Sequence, residues 1–71
     1  MSLVCKDFYG REISLNDYVI AIRGPDKAKG VEGYVTDMRE YEGCGILLEI
    51  STPGGRIVDS YARPGDYEKT R

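Results

Sequence analysis

The sequence predicts an all-β domain built as a small five-stranded barrel. Three observations carry that expectation. Turn-forming clusters recur roughly every 8–12 residues, the spacing of short strands joined by tight turns. The runs between them are rich in β-branched and aromatic residues, which suit a pleated, half-buried surface. No segment repeats apolar residues at helical spacing. Five short strands on 71 residues suit a closed or nearly closed barrel, because closure removes the exposed edges that invite aggregation.

The elements follow in order. Asp7-Phe8-Tyr9-Gly10 reads as a type I turn, with Asp accepting at its first position and Gly ending it. Arg11 to Leu15 is a short extended piece with Ile13 and Leu15 on one face, and Ser14-Leu15-Asn16-Asp17 turns into the first long strand, Tyr18–Arg23. If Val19 and Ala21 of that strand face the core, then Tyr18, Ile20 and Ile22 form an apolar outer face covered by the N-terminal segment or a partner; the alternative is that this face is the inner one, and the sequence does not decide between them. Gly24-Pro25-Asp26 opens a basic loop that runs to Gly30. Gly33 marks a bulge or close backbone approach on re-entry into strand Tyr34–Arg39. After the loop Glu42-Gly43-Cys44-Gly45 comes Ile46–Ile50, with Ile46, Leu48 and Ile50 inward and Glu49 outward. Pro53-Gly54-Gly55 is a hairpin turn. Arg56–Ala62 is the fourth strand, with Ile57 or Val58 as its buried side chain, and Arg63-Pro64-Gly65-Asp66 is another turn. Tyr67–Arg71 closes the barrel as a fifth strand. A single helical turn in one of the last loops is the most helix the pattern supports.

Size and charge bound the function. The chain, residues 1–71, is one domain with a thin core. Ten basic residues against twelve acidic ones give a formal charge of −2. A nonspecific nucleic-acid binder normally shows the opposite balance, because phosphate neutralisation drives its affinity. The charge is uneven, however. Segment 23–29 carries Arg23, Lys27 and Lys29 against Asp26, a local +2, and segment 37–49 carries Asp37, Glu40, Glu42 and Glu49 against Arg39, a local −3. The plain reading of both is ordinary surface charge. Cys5 and Cys44 form no Cys-x-x-Cys pair. Free thiols in a reducing cytoplasm are the expectation, and one bridge between them is the alternative. Leu3-Val4, followed at once by Lys6-Asp7, is too short for a signal-peptide core, and no apolar run approaches a membrane span.

The stretch Asp17-Tyr18-Val19-Ile20-Ala21-Ile22-Arg23-Gly24, then Lys27 and Lys29, then Gly33-Tyr34-Val35, resembles the KOW-type SH3-like barrels of some ribosomal proteins and transcription elongation factors. The shared pattern is Asp-x-Val-x-x-Ile-x-Gly, a lysine-bearing loop, then Gly-x-Val. Asp7-x-x-Gly10-Arg11-x-Ile13 looks like the start of many small SH3-like proteins carried by bacteriophages. The resemblance covers about a third of the chain. It implies an SH3-like barrel, and for the KOW type an RNA or ribonucleoprotein partner. Three departures weaken the RNA implication more than the fold. The loop is about two residues longer than the motif, Asn16 stands where the motif has Gly, and Glu32 stands where the family tends to be basic.

The residue inventory argues against catalysis. The chain has no histidine, so the commonest general base and metal ligand are missing and a Ser-His-Asp triad is impossible. A cysteine nucleophile would lack an imidazole partner. Gly24 to Gly30 followed by Val31 fails the phosphate-loop pattern. Glu40 and Glu42 share a strand face near Asp37, but their spacing reads as a solvated acidic loop, not a calcium loop. No enzyme activity, cofactor or metal is expected.

Two function readings follow. The first is a protein-interaction module, an adaptor, inhibitor or assembly component in a phage or mobile-element setting. Its contact surface would be built from tyrosine and arginine, the types enriched at binding hot spots, with Tyr34, Arg39 and Tyr41 as candidates. The covered apolar face of strand 18–23 also suits self-association into a homo-oligomer. The second is a KOW-like RNA-binding module, with Arg23, Lys27 and Lys29 on phosphates and Tyr34 stacking on a base. The six tyrosines also have a structural role open to them, half-covering a small core while their hydroxyls stay wet.

Overall fold

The computed structural model describes residues 3–70, and among these described residues there are seven strands, one short helix and one 3-10 turn. The strands are β1 (Cys5–Lys6), β2 (Glu12–Ile13), β3 (Tyr18–Ala21), β4 (Glu32–Tyr41), β5 (Gly45–Ser51), β6 (Ile57–Ala62) and β7 (Tyr67–Lys69). Helix α1 spans Gly24–Lys29, and the 3-10 turn spans Pro64–Asp66. β1 and β2 form a two-stranded antiparallel sheet around the expected Asp7–Gly10 turn, in which the Gly10 N–H donates to the Asp7 carbonyl at 3.0 Å. The other five strands form one antiparallel sheet in the order β6-β5-β4-β3-β7. The predicted fifth strand is present as β7, paired to β3, although Arg71 lies outside the described residues.

This sheet is curled. β6 and β7 stand at opposite edges. A flat sheet would hold them four strand spacings apart, roughly 19 Å. Only Arg63–Asp66 joins them, and most of that link is a 3-10 turn, which advances only about 2 Å per residue. The bend is taken up by β4, whose first residues pair with β3 while its whole length from Tyr34 on pairs with β5, across a bulge between Val35 and Asp37. Gly33 makes the bend possible. A Cβ there would fall onto the Ser51 carbonyl oxygen and 2.9 Å from its carbonyl carbon.

The core lies on the concave side: Ile13, Val19, Ala21, Val31, Val35, Leu48, Ile50, Ala62 and Tyr67. Each large aliphatic side chain fully buried here contributes about 1.5–3 kcal/mol. Val19 and Ala21 therefore face inward, and Tyr18, Ile20 and Ile22 are half-buried outside. Ile20 stands in register between Glu32 and Glu68, so charged side chains frame that outer face.

Several expectations need correction. The 24–30 loop is a helix, with Pro25 in its first turn, Asp26 near its N-terminus, lysines in its last turn and Gly30 as a left-handed cap at φ 71°. Apolar periodicity missed it because none of its residues is buried. Leu15 does not share the face of Ile13, since it sits in the Ser14–Asp17 turn beside Asn16 at φ 74° and is half-exposed. Ile46 is only half-buried. Ile57 and Val58 are exposed, and Ala62 supplies the buried contact of β6, because two register shifts against β5 break the alternation. Cys5 and Cys44, by contrast, are free thiols as expected. Among the described residues, no helix is long and apolar enough to cross a membrane.

Candidate interaction surface

The two edges of the large sheet are treated differently. The β7 edge is covered by the N-terminal segment. The Phe8 N–H donates to the Tyr67 carbonyl at 2.9 Å, the Lys69 N–H donates to Asp7 Oδ2 at 2.9 Å, and Arg11 Nη2 reaches the Lys69 carbonyl. Asp7 holds this arrangement. Its side chain is 0% exposed, and it accepts from the Tyr9, Arg11 and Lys69 amides and from Arg11 Nε. Burial pushes its pKa up, but those amides and the Arg11 charge outweigh burial and hold the carboxyl below its ordinary value.

Among the described residues, no strand lies beyond the β6 edge. This edge faces α1 across a seam, bridged where the carboxyl groups of Asp26 and Asp59 come within hydrogen-bond reach. Asp26 also accepts from the Tyr67 hydroxyl at 2.6 Å. Burial, then the bond to Asp26, raise the pKa of Asp59, while the bond to Asp59 is the largest influence holding Asp26 below its usual range. The pair therefore keeps one proton more readily than two isolated aspartates do. Burial and the bond to Asp26 raise Tyr67 far above an ordinary phenol.

Tyr61 of β6 stands at the end of this seam, 65% exposed. Its ring forms a tilted pair with Tyr41, centroids 5.7 Å apart. It is the wall shared by two grooves. One, about 150 Å³, lies on the convex face of β4 and β5 and contains Asp37, Arg39, Tyr41 and Glu49. The other, about 320 Å³, lies in the seam and contains Asp26, Asp59, Arg63 and Asp66. Ile57 and Val58, further along β6, add exposed apolar surface.

The six candidates from the sequence separate into three places. Arg39 and Tyr41 lie together in the first groove, where Arg39 Nε donates to Asp37 Oδ2 at 2.7 Å. That bond is the main reason Asp37 is lowered and Arg39 raised. Tyr34 is at the other end of β4, about 23 Å away along an extended strand. It packs edge-on against Tyr18, whose hydroxyl donates to Glu32 at 2.6 Å. Lys27 and Lys29 belong to α1, and Arg23 immediately precedes it. Arg23 is engaged, with Nε on Asp66 Oδ1 at 2.9 Å and its guanidinium 5.2 Å from the Phe8 ring centre. Lys27 and Lys29 are exposed, but two positions on a helix turn them roughly 200° apart.

Sequence reasoning missed Tyr61, Asp26 and Asp59. Asp26 had a signal, its place after Gly-Pro at a helix start. Tyr61 and Asp59 had none, because the irregular β5–β6 register decides which way they point.

The remaining chemistry is sparse. Burial and the nearby Glu12 charge raise the Cys5 thiol, whose Sγ lies 3.8 Å from Met38 Sδ. Among the described residues no three Cys, Asp or Glu side chains are grouped to hold a metal ion. No protein family, curated protein or solved structure matches this chain.

Proposed function

We propose that this protein is a small non-catalytic protein-interaction module on an SH3-like barrel, and that it binds through the Tyr41–Tyr61 surface. The barrel reading is supported by the curl of the sheet, by the four-residue link between its edges and by β7 pairing beside β3. The interaction reading rests chiefly on Tyr61. A tyrosine two-thirds exposed, paired with a second tyrosine and flanked by Arg39, has the composition of a binding hot spot. Among the described residues, Tyr61 is not part of the hydrophobic core.

The KOW-like RNA reading has less support. Its basic residues do not converge, Arg23 is held by Asp66, and the surface beside them carries Asp26 and Asp59. A photo-crosslinking amino acid at Tyr61, and separately at Lys27, tests both readings in cells that express the protein. The proposal expects a discrete protein adduct from position 61. RNA adducts from position 27, with none from 61, would replace it with the RNA reading.

A further inference from the structure

We infer that the surface around Tyr61 takes an extended peptide segment bearing arginine side chains, laid across the tyrosine with a cation in each flanking groove. This rests on the interaction-module reading above and names the chemistry of its partner.

Charge complementarity selects the occupant. The two grooves that share Tyr61 contain five carboxylates, Asp37 and Glu49 on one side and Asp26, Asp59 and Asp66 on the other. They contain two guanidiniums, Arg39 and Arg63. The whole chain carries only −2, so its negative charge is concentrated here. Part of it is already used, since Arg39 holds Asp37 and Arg23 holds Asp66. Asp59 is different. It faces the like-charged Asp26, and Lys29 is the cation whose charge acts on both. A guanidinium entering the seam would take the place of that like-charge contact with two charge-assisted hydrogen bonds.

The aromatic pair selects arginine over lysine. A planar guanidinium stacks on a tyrosine face and forks onto a carboxylate, whereas an ammonium does only the second, as a point charge. An extended chain sends alternate side chains to one face, so two arginines on that face can straddle one ring. Ile57 and Val58 continue the track along β6 with apolar contact. An acidic segment would meet repulsion in both grooves.

The test uses the full-length protein, isotope-labelled for NMR, with three capped octapeptides of alternating sequence. Valine and threonine alternate with arginine in the first, lysine in the second and glutamate in the third. The arginine peptide should shift the amides of Val58–Ala62 and Tyr41, bind several-fold more tightly than the lysine peptide, and lose at least tenfold in affinity in Tyr61→Ala. Asp59→Asn should weaken it severalfold, and raising salt should weaken it further. Tyr61 is mostly exposed, so its variant should keep the fold, which the spectrum itself reports. If the glutamate peptide shifts the same amides equally, the surface is a docking site but the cation preference is wrong. If no peptide shifts them at millimolar concentration, both this inference and the choice of surface beneath it are overturned.

Discussion

Asp7 Oδ2 accepts the backbone N–H of Lys69 at 2.9 Å, across 62 positions of sequence. This bond ties the first turn of the chain to its last strand and covers one edge of the large sheet. Removing the carboxylate in Asp7→Ala strands the Tyr9, Arg11 and Lys69 amides that it serves. The expected cost is about 2–4 kcal/mol, most of what a domain of this size holds, roughly 3–5 kcal/mol. Urea denaturation of the variant should show a large loss. The pH dependence follows from the lowered carboxyl. Its stabilisation is present above the unfolded aspartate pKa and is lost as pH falls through the folded value. Asp7→Asn should therefore differ from the parent at pH 7 and approach it in strong acid.

Gly33 sits where β4 bends over Ser51, and a methyl group there meets backbone, which does not swing aside. Gly33→Ala should destabilise by about 2 kcal/mol or more. Gly65→Ala is the control, with nothing within 4 Å of its would-be Cβ. Thermal melts of the two variants should separate clearly, and equal melts would mean that β4 does not pack this closely on the β5 backbone at Ser51.

The Asp26–Asp59 contact makes a prediction of the opposite sign. Asp59 is raised, by burial first and by Asp26 second. A group raised in the folded state stabilises below its unfolded pKa and loses that contribution as pH rises through the folded value. Asp59→Asn keeps a donor toward Asp26 and removes the like charge. The site is partly exposed, so the gain is discounted for screening to roughly 0.5 kcal/mol. A rise of about 2–4 °C in Tm at pH 7 is expected, shrinking toward zero near pH 3.

Much of this fold was legible in the sequence, and its failures have physical causes. The turns at Asp7–Gly10, Ser14–Asp17 and Pro53–Gly55 were readable because Asp, Asn and Gly adopt backbone conformations that other residues avoid. The alternation of Leu48 with Ile50 was readable as one-sided burial, whereas the burial of Val19 and Ala21 was not, because both faces of strand 18–23 carry apolar residues. α1 was missed although Pro25, Asp26 and Gly30 all mark helix ends, because a helix that buries nothing leaves no apolar period. Tyr61 was missed because a bulged strand does not keep its alternation, and Ile57 and Val58 look like core in any composition-based reading. Of the candidate site, Arg39 and Tyr41 were named separately, and β4 runs two residues past the expected end at Arg39, which makes them neighbours on one strand. Their partners came from β6 and α1, which only tertiary pairing brings near.

The most direct measurement is a capture of partners by tagged protein from lysate of the cells that express it, run with and without nuclease, for the parent and for Tyr41→Ala/Tyr61→Ala. The account predicts a discrete protein partner that survives nuclease with the parent and is lost with the double variant. Partners that vanish with nuclease, and that persist in the double variant while Lys27→Ala/Lys29→Ala loses them, would contradict it.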